Sequence, residues 1–135
     1  MSTDEPVWVR EDVVRSIHSR QLSEHGGTAG VRDEGLLASA LARPRNLLAY
    51  SDEVPNLGVL AAAYAAGLTR NHPFVDGNKR TAFVVSRLFL RLNGQDISAS
   101  KEDKVRTFLE LAAGELSEEA LVDWIGKRLV KRTRK

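Results

Sequence analysis

The sequence predicts one all-helical (all-α) domain, a bundle of helices around a central apolar one. Three observations predict it. Apolar residues recur at helical spacing in six separate stretches. No stretch stands out with the apolar–polar alternation of a half-buried strand. Ser, Asp, Gly and Pro sit where those stretches start and stop. With 135 residues the chain reads as a single domain, 1–135, large enough to bury a real core.

The first helix runs from Glu11 to Glu24, with Val13, Val14, Ile17 and Leu22 as a rough apolar stripe, and stops at Gly26-Gly27. His18 and His25 lie seven apart on this segment. No acid or cysteine completes a ligand set around them, so both read as surface residues. Gly26 to Gly30 form a loop. Asp33 caps a second helix that faces Leu36, Leu37, Ala40 and Leu41 inward. Pro44 closes it, since proline lacks an N–H and crowds the preceding turn. Arg45 to Asn56 reads as irregular and polar.

Leu57 to Arg70 is an alanine-rich helix whose small side chains allow close helix–helix approach. Asn78 to Asn93 is apolar around most of its circumference, the mark of a central, buried helix, and Gly94 stops it. Gln95 to Ser98 is a candidate short strand. Ser100 caps a helix to Ala113, and Ser117 caps the last, with Leu121, Trp124, Ile125 and Leu129 inward.

The composition, 42% apolar and 28% charged, is that of an ordinary soluble domain, and the net charge is only +2. The cations of the tail, Lys127 to Lys135, lack interleaved aromatics and read as a solvated helix end, so no nucleic-acid contact is expected. No apolar run is long enough for a membrane span, and MSTDEPVW has no signal-peptide pattern. The absence of cysteine excludes disulfides and fits a cytoplasmic protein.

The segment that carries chemistry is His72-Pro73-Phe74-Val75-Asp76-Gly77-Asn78-Lys79-Arg80-Thr81. Its polar residues sit where a loop becomes a helix. A helix N-terminus offers free N–H groups and partial positive charge, which suits a phosphate. His72, ahead of that site, is a candidate general base. Asp76 and Asn78 are hard oxygen ligands suited to Mg²⁺; for Asp76 a helix cap is a serious competing role. Gly77 permits a sharp turn. Lys79 and Arg80 oppose the helix dipole, at about 0.3–1 kcal/mol each, unless an anion binds between them. Phe74 reads as a loop anchor. Arg70 is either a further phosphate cation or a helix-end charge. Arg87 and Arg91 share a face with Arg80 and read as a charged outer strip.

HPFVDGNKRTAF resembles the signature of the Fic/Doc family, most of all its death-on-curing (Doc) branch. The likeness extends upstream through EHGGTAGVRDEGLLASALARP and downstream through RLFLRLNG, roughly Leu22 to Gly94. It implies the helical Fic fold, with the motif helix central and a small flap, here Arg45 to Asn56. It implies His72 as base, Asp76 as the ligand of a metal that bridges nucleotide phosphates, and ATP and Mg²⁺ as cofactors. Gly77, Asn78, Lys79, Arg80 and an arginine matching Arg70 would line the nucleotide site. The AMP-transferring members carry glycine where this chain has Lys79, and a second arginine where it has Phe83. Those two differences favour the Doc chemistry, transfer of the γ-phosphate of ATP to a protein hydroxyl, expected on elongation factor Tu. Gly77 follows the AMP-transferring pattern, which keeps nucleotidyl transfer as the alternative. A non-catalytic binding module is the third reading, disfavoured by the intact His72, Asp76, Asn78 and Arg80. No Ser or Thr has Glu four residues later followed by Gly or Asn, the self-inhibiting pattern of many Fic proteins. A separate small antitoxin with a C-terminal helix is therefore expected, docked between the flap and the Asn78 helix.

Overall fold

The computed structural model describes residues 5–132. Arg134, Lys135 and the start of MSTDEPVW lie outside the described residues. Among the described residues the helices are α1 (Glu11–His25), α2 (Glu34–Tyr50), α3 (Leu57–Asn71), α4 (Asn78–Leu92), α5 (Lys101–Ala112) and α6 (Glu118–Gly126). Two short antiparallel strands, β1 (Gln95–Ile97) and β2 (Leu129–Lys131), pair Gln95 with Lys131 and Ile97 with Leu129. The all-helical class is as predicted. Among the described residues no helix is long and apolar enough to cross a membrane.

The axis of the bundle is α3 rather than the motif helix. From Leu60 to Leu68 every residue of α3 is buried, and it packs against α2, α4, α5 and α6. Alanine and glycine all round let neighbours approach from every side. A Cβ on Gly67 would come within 3.2 Å of the Ala40 carbonyl oxygen, so α2 and α3 touch backbone to backbone there. By contrast α4 buries one face, Thr81, Ala82, Val85, Ser86, Phe89 and Leu90, and leaves Phe83, Val84 and Leu88 half-buried. Tyr64 and Phe89 meet at 5.2 Å in the core, and the Tyr64 hydroxyl accepts the Val9 N–H at 3.1 Å, tying down the chain ahead of α1.

Side-chain caps hold the N-termini of α2 (Asp33), α3 (Asn56), α5 (Ser100) and α6 (Ser117). Two helix ends and one side-chain role differ from expectation. Pro44 does not close α2, which runs on to Tyr50 with the proline buried in its interior. Proline removes only the bond to Ala40, and the apolar packing of Leu47 and Leu48 on the core carries the helix onward. Residues 45–50 are therefore helical and the flap shrinks to Ser51–Asn56, with Val54 exposed. The last helix ends at Gly126, and Leu129 belongs to β2, paired with the strand anticipated at Gln95. Arg87 is no outer strip: it holds Asp96 of the β1 segment through two bonds of 2.9 and 3.1 Å, with Arg91 3.9 Å from the same carboxylate.

Candidate active site

The loop from His72 to Gly77 joins the central helix to α4. Helix α3 ends because His72 adopts a left-handed backbone, φ 52° and ψ 52°, and Pro73 follows. The loop is stapled to the α1–α2 connection. Arg32 and Asp33 donate their backbone N–H groups to the Pro73 carbonyl at 2.6 and 3.1 Å, and Val75 N–H donates to Gly30 at 3.0 Å. The Arg32 guanidinium adds bonds to the carbonyls of His72 (2.7 Å) and Asn71 (2.9 Å). Motif reading alone missed Arg32. Its signal was the upstream likeness through VRDEG, which attached no role to Arg32.

Beneath the loop Phe74 is buried, as anticipated, and its ring lies on that of His18, with centroids 3.8 Å apart and planes within 10°. His18 is thus no surface residue. It is 5% exposed, and Nε2 donates to the Asp76 carbonyl at 2.8 Å. Helical spacing puts His18 on α1 but gives no sign that the motif loop folds over it, which is why it read as a surface residue.

Asn78 turns inward. Its Oδ1 accepts the Phe74 N–H at 3.0 Å, and its Nδ2 donates to the Phe74 carbonyl at 2.9 Å. Those two bonds fix which way the amide faces. Nδ2 therefore also meets His72 Nδ1, 2.6 Å away, as the donor. Nδ1 accepts, so in the neutral ring the proton sits on Nε2. Asn78 is 4% exposed and its oxygen is engaged. It acts as a strut inside the loop, and of the two residues expected as metal ligands only Asp76 presents an exposed carboxylate.

Asp76 is exposed, and each of its oxygens accepts a backbone N–H, from Thr28 at 3.2 Å and Gly77 at 3.0 Å. Those bonds, Thr28 first, and the charge of Arg80 hold its carboxyl below the usual range despite some desolvation. Arg80 donates to the Gly26 carbonyl at 3.1 Å. Asp76 and Arg80 thus face the glycine loop at 26–28. Gly27 is required there: at φ 126°, a Cβ would sit 2.9 Å from Leu22 and 3.0 Å from the Asp76 carboxylate.

The N-cap of α4 is Gly77, at φ 79° and ψ 15°, and no side chain caps the helix. Its first-turn N–H groups have no side-chain acceptor, unlike those of α2, α3, α5 and α6, and an end of this kind suits an anion. Beside it lies a groove of about 970 Å³ bordered by His72, Asn78 and Lys79 from the motif and by Lys101, Val105, Arg106 and Leu109 from α5. Arg70 is not brought to His72. It reaches Glu118 at 3.3 Å, and Arg43 meets the same carboxylate at 2.6 Å. That ion pair is neither of the roles expected of Arg70, although its place in the last turn of α3 fits a helix-end charge. Phe83 packs edge-on against Phe108 at 4.9 Å, joining α4 to α5.

Asp76 suits one ligand position of Mg²⁺, an ion that keeps waters and takes substrate phosphates for the rest. Among the described residues no cluster of three or more His, Cys, Asp or Glu forms a self-sufficient metal site.

Comparison with known proteins follows the same line. The model of the Fic/DOC family matches residues 8–90, more than half of the chain. The chain is 47% identical over 74 residues to a protein named Toxin Doc from Mycolicibacterium smegmatis, a match covering 55% of this chain and 57% of that one. It thus spans little more than half the length of that relative. It is 34% identical over 108 residues to Protein kinase doc of Escherichia phage P1, covering 80% of this chain and 84% of the relative.

Proposed function

The chain belongs to the Fic/DOC family, and on that premise we propose that it is a toxin that transfers the γ-phosphate of ATP to a Ser or Thr hydroxyl of a translation factor. The observation that carries the reading is the uncapped N-terminus of α4, with an ionised Asp76 beside it and His72 at the edge of the adjoining groove.

In this reading the α4 N–H groups and Lys79 hold phosphate oxygens. Arg80 neutralises charge that develops on them. Asp76 would hold Mg²⁺, which would supply positive charge to offset that of the phosphates. The acceptor oxygen forms a bond to the γ-phosphorus as the bond to the β-bridging oxygen breaks and ADP leaves. The hydroxyl proton passes to His72. At rest Nε2 carries a proton because Nδ1 accepts from Asn78. Accepting a proton at Nε2 therefore requires the ring to shift its own to Nδ1 and release that contact.

Two further residues support phosphoryl over AMP transfer. Lys79 borders the groove as a bulky cation. The place of the second arginine of AMP-transferring members is filled by Phe83, whose ring is spent on Phe108. Elongation factor Tu is the target the resemblance suggests, and a small antitoxin with a C-terminal helix the partner. Incubation with a bacterial lysate and ATP labelled at the α- or the γ-phosphate tests the reaction. Label from γ on a protein of the size of elongation factor Tu is expected. Label from α would mean AMP transfer, and no label from either would refute a transferase. In a bacterial host the wild type should arrest growth and the cognate small protein should restore it.

A further inference from the structure

His18 lies under the motif loop and has no part in the reaction just described. Its Nε2–H donates to the Asp76 carbonyl at 2.8 Å. That bond orients the whole peptide unit between Asp76 and Gly77. In a trans peptide the C=O and N–H point in opposite directions. With the oxygen drawn inward to His18, the Gly77 N–H faces outward, 3.0 Å from Asp76 Oδ1. The carboxylate it meets is the one beside the uncapped end of α4.

Turning this unit over changes only ψ of Asp76 and φ of Gly77. Glycine makes such a turn easy, since it occupies positive and negative φ about equally well. The turned unit would direct a carbonyl oxygen, with its partial negative charge, to where a phosphate must sit. Motif residues above the loop offer no donor against this. The ring beneath does, and it is well fixed: it stacks on Phe74 and lies 3.6–3.7 Å from where a Cβ on Gly77 would be.

We propose that His18 is a positioning residue for the phosphate site, locking the Asp76–Gly77 peptide so that the loop offers N–H rather than C=O to the nucleotide. This rests on the phosphate-binding reading of the site. His18 touches no substrate and acts through the backbone alone.

Three variants separate its two contacts. His18→Phe keeps a flat ring on Phe74 and removes the donor. His18→Gln donates at similar reach without the stack. His18→Leu lacks both. Losing a bond of this kind should weaken binding of a non-hydrolysable ATP analogue with Mg²⁺ about tenfold in the Phe and Leu variants, with Gln restoring most of it. KM for ATP should rise more than kcat falls, because bound phosphate itself selects the correct peptide orientation. A second readout needs no nucleotide. In the ¹⁵N-labelled free protein, the Gly77 amide resonance should shift and exchange faster in His18→Phe than in wild type or His18→Gln. That shift, in a protein that binds no nucleotide, would support the lock and refute the nucleotide reading. An unmoved Gly77 amide in folded His18→Phe would overturn the lock, as would an affinity loss in Gln equal to that in Leu. If His18→Phe does not fold, His18→Met, which keeps an apolar contact without a donor, gives the same comparison.

Discussion

Replacing Asn78 with alanine separates two roles for this residue. As a metal ligand, Asn78 would matter to the Mg²⁺ requirement and little to stability. As a strut, the reverse holds. The side chain satisfies both the N–H and the carbonyl of Phe74 and also contacts His72, from a position 4% exposed. Truncation leaves the Phe74 groups without partners in a buried loop, at about 1–3 kcal/mol each before water relieves part of it. The expected loss is about 2–4 kcal/mol. For a chain of this length that lowers the melting midpoint by roughly 7–14 °C. Thermal unfolding by circular dichroism measures it, and transfer assayed across Mg²⁺ concentrations provides the contrast. Activity should fall at every Mg²⁺ concentration, because His72 loses its partner. A midpoint within about 2 °C of wild type, together with a raised Mg²⁺ requirement, would refute the strut and restore the ligand.

Further outcomes follow from the same geometry. His72→Ala should lose about 10²–10⁴ in single-turnover transfer while keeping its circular dichroism spectrum; near-wild-type transfer would remove the base role. Lys79→Gly with Phe83→Arg should shift the mass added to the target from phosphate toward AMP, read by mass spectrometry; a pure kinase at wild-type rate would show that these positions do not orient the nucleotide. For Asp96, burial acts to raise the carboxyl, but the Arg87 hydrogen bond, the Ile97 N–H and the charges of Arg87 and Arg91 outweigh it, so the pKa is lowered on folding. Its stabilisation is therefore complete above the ordinary carboxylate pKa of about 3.9 and fades as pH falls through the folded value. The stability gap between wild type and Asp96→Asn should be clear at pH 7 and shrink below pH 4 in thermal scans.

The helix caps were legible in the sequence, and the long-range pairings were not. The caps at Asp33, Ser100 and Ser117 act within three residues of themselves, and all three are found where read. The motif loop announced itself because its residues are consecutive. What supports it is distant in sequence: Arg32 lies 40 residues from His72, and His18 lies 58 residues from Asp76. Helical periodicity gives no view of such pairings. The error at Pro44 has the same origin. Proline's local effect is to break a helix, and it was overridden by tertiary packing of the turns that follow. Asn78 shows a subtler limit. Its type suits a metal, and only the direction of its side chain reveals that it faces the protein.

The left-handed backbone of His72 bears on how such a protein would change under selection. At φ 52°, a residue other than glycine holds a conformation that costs about 1 kcal/mol. Glycine or asparagine fits it with less strain, which offsets much of what is lost with the Asn78 contact. The position most important to the proposed chemistry is then among the easiest to disable without unfolding the chain. Substitutions here would leave a stable protein without the base that the proposed reaction needs.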